Sequence, residues 1–134
     1  KSRCLMKGSC LCGASRYEIN ALAGPIMHCH CMTCQKAHSA VFATTARVNR
    51  DDFRWVKGED SLGSFESTPG KRRWFCRHCG SHLMAEWVDR PEVIVRVATL
   101  DEDPGVVPAA HIWTSHDRAW LATDGDIPAH AEKP

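Results

Sequence analysis

The sequence predicts an all-β domain stapled by metal. Three observations lead there. Short segments rich in β-branched and aromatic residues recur along the chain, turn signals fall between them, and seven of the eight cysteines lie in three tight groups. Those groups are Cys10-Leu11-Cys12, Cys29-His30-Cys31-Met32-Thr33-Cys34 and Cys76-Arg77-His78-Cys79-Gly80. Many short strands separated by regular turns make a sandwich or half-open barrel.

The strands follow in order. Residues 14–19 (ASRYEI) alternate loosely, and 41–48 (VFATTARV) carry the β-branched side chains that pack well on a pleated surface. Residues 53–56 (FRWV), 74–75 (WF), 82–88 (HLMAEWV) and 92–100 (EVIVRVATL) complete the set. Lys57-Gly58, Pro69-Gly70, Asp89-Arg90-Pro91 and Asp103-Pro104-Gly105 are the turns between them. Only residues 33–40 (TCQKAHSA) have the makings of a helix, so the fold holds at most one short helix, directly after the cysteine trio. No repeat or linker divides the 134 residues, and 1–134 reads as a single domain. The five tryptophans, Trp87 among them, are expected in the core. The tail beyond Gly125 is expected to pack loosely.

Charge narrows the partners. A net charge of +1 points to neither a nucleic acid nor a membrane surface. The longest basic run, Lys71-Arg72-Arg73, reads as a solvated turn or an exposed strand start. No apolar run approaches the ~18 residues of a membrane span, and residues 1–10 lack the apolar stretch of a secretory leader. Disulfides are the competing use of eight cysteines, but CxC and CxxC pairs are too close in sequence to staple distant loops. Metal-bound thiolates suit a reducing compartment, so a cytoplasmic location is expected.

Within the cysteine groups, Cys76-Arg77-His78-Cys79-Gly80 has the form of a tight turn aiming two sulfurs at one metal, with a glycine free to adopt a left-handed backbone behind it. Gly13 stands in the same relation to Cys12. Cys10, Cys12, Cys76 and Cys79 together supply the four thiolates of a closed structural zinc site. The trio supplies three ligands, and zinc takes four. Spacing alone leaves the fourth undecided between an open position and a protein ligand from Cys4, His28, His30, His38, His78 or His82. It also leaves open a sharing of ligands between the trio and the CxxC. An open position matters because metal catalysis needs one.

The histidines near the trio divide by geometry. His28 and His30 alternate with the cysteines and point away from any metal if that segment is extended. His38 lies four residues after Cys34, on the same face of a helix, and is the candidate proton shuttle. His111 is expected to serve packing or the surface, and Cys4 to be an ordinary thiol.

Three stretches taken in order, Gly8 to Gly13, Cys29 to Cys34 and Arg73 to Leu83, resemble the glutathione-dependent formaldehyde-activating enzyme family, which includes the centromere-protein-V-like proteins. Pro108 to Trp113, followed by Trp120, is similar to its C-terminal region, so the resemblance covers about residues 8–128. It implies a β-tent type of zinc fold with two zinc ions per chain. Cys10, Cys12, Cys76 and Cys79 hold the structural ion, and Cys29, Cys31 and Cys34 the catalytic one. It also implies a carbon–sulfur lyase activity, the condensation of formaldehyde with glutathione to S-hydroxymethylglutathione.

The expected function is therefore a two-zinc enzyme of the lyase type acting on a small thiol, such as glutathione, and a small aldehyde. The alternatives are a non-enzymatic zinc-binding interaction module and a small-thiol carrier.

Overall fold

A computed structural model of the chain describes residues 5–121 and 127–133. Among them ten strands form two sheets. In chain order these are β1 (Met6–Ser9), β2 (Arg16–Ile19), β3 (Met27–Cys29), β4 (Ala43–Asn49), β5 (Phe53–Lys57), β6 (Leu62–Thr68), β7 (Lys71–Cys76), β8 (His82–Trp87), β9 (Glu92–Arg96) and β10 (Ala110–Ile112). The single α-helix among the described residues, α1 (Met32–His38), begins just after Cys31 and carries Cys34, close to where the sequence places it. The all-β expectation holds.

The smaller sheet runs β1-β2-β5, and the larger runs β10-β3-β4-β9-β8-β7-β6. All neighbours pair antiparallel except β10, which returns parallel to β3 with Ile112 opposite Cys29. The core lies between the sheets. Tyr17 and Ile19 of β2, Val48 of β4, Leu83 of β8 and Val93 and Val95 of β9 are all buried there. Tyr17 stacks on Phe53 at 5.2 Å, meets Trp55 edge-on at 6.0 Å, and its hydroxyl pairs with the Thr99 hydroxyl at 2.6 Å. Gly8 leaves room for that ring, since a Cβ there would sit 2.2 Å from the Tyr17 Cζ.

Strand boundaries shift where periodicity is weak. β1, β3, β6 and β10 lie outside the predicted strands, and Trp74-Phe75 proves to be part of a six-residue strand. Residues 97–99 leave the predicted strand for a short 3-10 turn. Residues 127–133 are exposed, and Cys4 lies outside the described residues.

Two expectations are corrected. The run Lys71-Arg72-Arg73 is not simply solvated: Arg73 is 2% exposed, because a strand alternates its faces and Lys71 and Arg73 turn to the opposite side from Arg72. Trp87 is not core. It lines a cavity, with Lys71 and Arg90 over its ring.

Candidate metal centres and the cavity beside one of them

The first cysteine group joins the two sheets. Cys10 follows β1 and Cys76 ends β7, and both are buried within the main core. Each begins a tight turn closed by a backbone bond: Gly13 N–H donates to the Cys10 carbonyl at 3.1 Å, and Gly80 N–H to that of Cys76 at 2.8 Å. Both glycines take the left-handed backbone expected of them, with φ of +80° and +79°. Amides turn towards the sulfurs as well, Ser15 N–H onto Cys10 Sγ and His78 N–H onto Cys76 Sγ, each at 3.3 Å. A bond from Leu11 N–H to Ser81 Oγ at 3.0 Å ties one turn to the other. The Ser81 hydroxyl, foremost among several hydrogen bonds, holds the Cys79 thiol down to about 5.

The four sulfurs fit a tetrahedral ion. All lie within 4.8 Å of one another, and Cys12 Sγ is 3.7 Å from both Cys10 Sγ and Cys76 Sγ. Zinc–sulfur bonds of about 2.3 Å give a tetrahedron with edges near 3.8 Å, whereas a disulfide needs about 2.05 Å.

The second group is built differently. Cys29 ends β3, Cys31 caps α1 with its sulfur accepting from Cys34 N–H at 3.3 Å, and Cys34 lies in the first helical turn. The strand-to-helix step gathers all three sulfurs within 4.8 Å of one another. The parallel strand β10 fixes this step from outside: His30 N–H donates to the Ile112 carbonyl at 2.9 Å, and Met32 N–H to His116 Nδ1 at 2.9 Å. Among the described residues no histidine or carboxylate joins the three sulfurs, and the two cysteine groups do not share ligands.

His28 and His30 turn away from the trio, as alternation predicts. Both pack on Phe42 and His111, and His30 bonds Asp117 and His111, each at 2.7 Å. His111 thus packs, as expected. His38 packs against His82, the ring centres 4.8 Å apart and the planes inclined at 53°, with its Nε2 buried and without a hydrogen-bond partner. Burial, followed by the positive charge of Arg96, pushes its pKa down to about 3. At neutral pH His38 is an uncharged ring.

The trio forms part of the wall of a cavity of about 670 Å³. Met27, Ile94, Ile112 and Trp113 give it apolar surface, and Lys71, Arg73, Arg90 and Arg96 give it charge. Trp113 holds a left-handed backbone (φ 62°) that is rare for a bulky side chain. Arg73 aims Nη1 and Nη2 at Cys34 Sγ from 3.9 and 3.8 Å, and its Nε is anchored on Ser67 Oγ at 2.9 Å. Hydrogen bonding with Cys29 above all, then with Cys31, and the charges of Arg96 and Arg73 hold the Cys34 thiol down to about 4. Cys29 is displaced upward by the same bond. The trio is therefore a thiolate-forming donor set in a positive field, which fits a soft divalent metal.

Sequence reasoning missed Lys71, Arg73, Trp87, Arg90 and Arg96. The period-two placement of Lys71 and Arg73 was the available signal. Nothing local marks Arg96, which follows the apolar run Val93-Ile94-Val95 at the end of its strand.

Fold and sites together define a β-sheet protein with two cysteine clusters that could hold metal ions, one of them beside a cationic cavity. More particularly, the chain belongs to the glutathione-dependent formaldehyde-activating enzyme family, whose description matches over residues 5–116. Proteins provisionally named as such enzymes in Aspergillus flavus and Aspergillus oryzae are each 27% identical over 86 residues. That match covers 61% of this chain and 44% of theirs. One from Podospora anserina is 31% identical over 77 residues, covering 55% of this chain and 36% of its own. The chain thus spans less than half the length of these relatives. A crystal structure of a Rhodobacter sphaeroides protein superposes with a TM-score of 0.64 at 29% identity, covering 79% of this chain and 99% of that one. Among the described residues no helix is long and apolar enough to cross a membrane.

Proposed function

We propose that this chain is a two-zinc enzyme of the carbon–sulfur lyase type, joining a small thiol to an aldehyde-like carbon. Glutathione and formaldehyde, the compounds in the family's name, are the leading substrates, with S-hydroxymethylglutathione as product. The observation that carries the reading is the trio: three thiols converge at the wall of a ligand-sized cavity, with no fourth protein donor among the described residues. Cys29, Cys31 and Cys34 would hold the catalytic ion, and Cys10, Cys12, Cys76 and Cys79 the structural one. When bound, a zinc ion keeps a coordinated thiol ionised at neutral pH and polarises carbonyl oxygen.

The chain's own residues do the rest. Arg73 presents two N–H groups towards Cys34, beside the reacting centre, where negative charge gathers as the thiol ionises and the carbonyl oxygen accepts electrons. Ile94 and Ile112 give the cavity an apolar wall beside the trio, and holding the two substrates there converts a two-body encounter into a local one. The reaction balances without a redox partner. The sulfur–carbon bond forms, the carbon–oxygen π pair moves to oxygen, and the thiol proton ends on that oxygen. His38 is not placed to pass that proton: it does not line the cavity, and its ring stays unprotonated down to about pH 3.

Carbon-13 NMR of labelled formaldehyde tests this directly. The hydroxymethyl-thioether signal should grow faster with the zinc-loaded protein and glutathione than with glutathione alone, and Cys31→Ser should abolish the acceleration. Equal rates with and without protein would remove glutathione and formaldehyde as the substrates.

A further inference from the structure

The cavity carries more positive charge than the trio can use. Lys71, Arg73, Arg90 and Arg96 line it, whereas no aspartate or glutamate does among the described residues. Arg47 also reaches the wall but is occupied with Glu92 at 3.8 Å. None of the other four pairs with a carboxylate among the described residues. Full ionisation of the three thiols sets three negative charges against four positive ones. A divalent ion held by those thiols raises the positive excess to three.

The four cations also sit at two levels. Arg73 and Arg96 are 2% and 4% exposed and lie close to the sulfurs. Arg96 Nε and Nη2 have no hydrogen-bond partner, and a buried charge left without one is costly. Lys71 and Arg90 flank Trp87, with Lys71 Nζ 5.5 Å and Arg90 Cζ 4.8 Å from the centre of its ring, and the charges of Cys34 and Cys31 act on Lys71 as well. The indole holds two long cationic side chains in place at the cavity wall. Neutralising the thiolates accounts for Arg73 and for part of Arg96 and Lys71, but leaves Arg90 and the Trp87 ring between the two outer cations without a role.

We propose that the outer wall formed by Lys71, Trp87 and Arg90 is a carboxylate-recognition subsite, and that it selects thiol substrates with an acidic tail. The inference rests on the thiol reading above and names the substrate class. Two monovalent cations spread along one apolar ring suit one or two carboxylates, with the guanidinium able to take a carboxylate through paired N–H groups. Arg96 and Arg73 add attraction from below, in a setting where water screens less than at the surface. Neutral thiols lose that attraction, and aminothiols meet repulsion.

Calorimetric titration of the zinc-loaded protein with three small thiols tests this. Mercaptosuccinate should bind at least tenfold more tightly than thioglycerol, and cysteamine more weakly than either. Arg90 is exposed and its guanidinium packs on the face of Trp87, so Arg90→Glu should fold normally and remove most of the advantage of mercaptosuccinate, while Arg90→Lys retains it. Succinate, which has no thiol, should compete with mercaptosuccinate in the wild type and fail to do so in Arg90→Glu. Equal affinities for mercaptosuccinate and thioglycerol, or unchanged selectivity in Arg90→Glu, overturn the subsite. Stronger competition from glycerol 2-phosphate than from succinate also overturns it, by reassigning the tail to a phosphate. Succinate competition that depends on Arg90, in a protein that never forms a thiol–aldehyde adduct, retains the subsite and discards the lyase reading instead.

Discussion

The two cysteine groups use one residue type for opposite ends. Cys10, Cys12, Cys76 and Cys79 come from two turns 64 residues apart at their nearest sulfurs, on different sheets, and two of the sulfurs belong to the main core. Cys29, Cys31 and Cys34 come from six consecutive residues and form a small cluster of their own with Ala43. The first group is surrounded by amides and by Ser81, neutral groups that fix its shape. The second faces guanidinium groups and a cavity. A long-range cross-link contributes to folding, whereas a local cluster beside a hole is free to contribute to chemistry. The difference lies in what the sulfurs connect, not in the sulfurs.

The largest expected effect comes from breaking the cross-link. Zinc held by peptide thiolates contributes about 10–16 kcal/mol, as much as the about 5–15 kcal/mol that holds a whole domain folded. Cys79→Ser should therefore leave a largely unfolded chain by circular dichroism, and a strong chelator should do the same to the wild type. Cys31→Ser should keep the sheet signal and lose one metal equivalent by elemental analysis. If both variants unfold alike, the contrast between the groups collapses.

A smaller effect sharpens the second half of the contrast. Arg73→Met removes the charge pointing at Cys34 while preserving much of the packed volume. Changes just outside a metal's own ligands commonly lower affinity or activity by about 10–100-fold. The trio's metal should become easier to strip with a chelator by a factor in that range, with the four-cysteine group unaffected. Loss of metal from both groups together would show that Arg73 serves the fold. Smallest is Tyr17→Phe, which deletes the hydroxyl bond to Thr99. A cost of about 0.5–1.5 kcal/mol in urea unfolding, with metal content at both groups unchanged, would separate the core from the sites.

Much was legible in the sequence because its cause is local. Backbone geometry demands Gly13 and Gly80 behind their cysteines, and both adopt the positive φ that only glycine takes easily. Alternation along an extended segment turned His28 and His30 away from the trio. The helix after Cys31 follows from a stretch free of β-branched runs. Local pattern failed where the partner was distant or the pattern itself was weak. Ala110–Ile112 is a strand only because β3, far back in the chain, offers it a parallel neighbour; Leu62–Thr68 pairs with the adjacent β7, and there Gly63, Ser64 and Ser67 weaken the strand pattern.

By itself, then, the sequence determined an all-β fold, the two cysteine groups and their family, since turns, strand propensity and ligand spacing act over a few residues. The tertiary structure alone decided what surrounds the trio. Arg73 and Arg96 stand on different strands, and Lys71 and Arg90 meet only across Trp87. Charge acts through space rather than along the chain, so a run that reads as three solvated cations became, once β7 was folded into its sheet, one buried guanidinium beside a sulfur and one ammonium at a cavity wall.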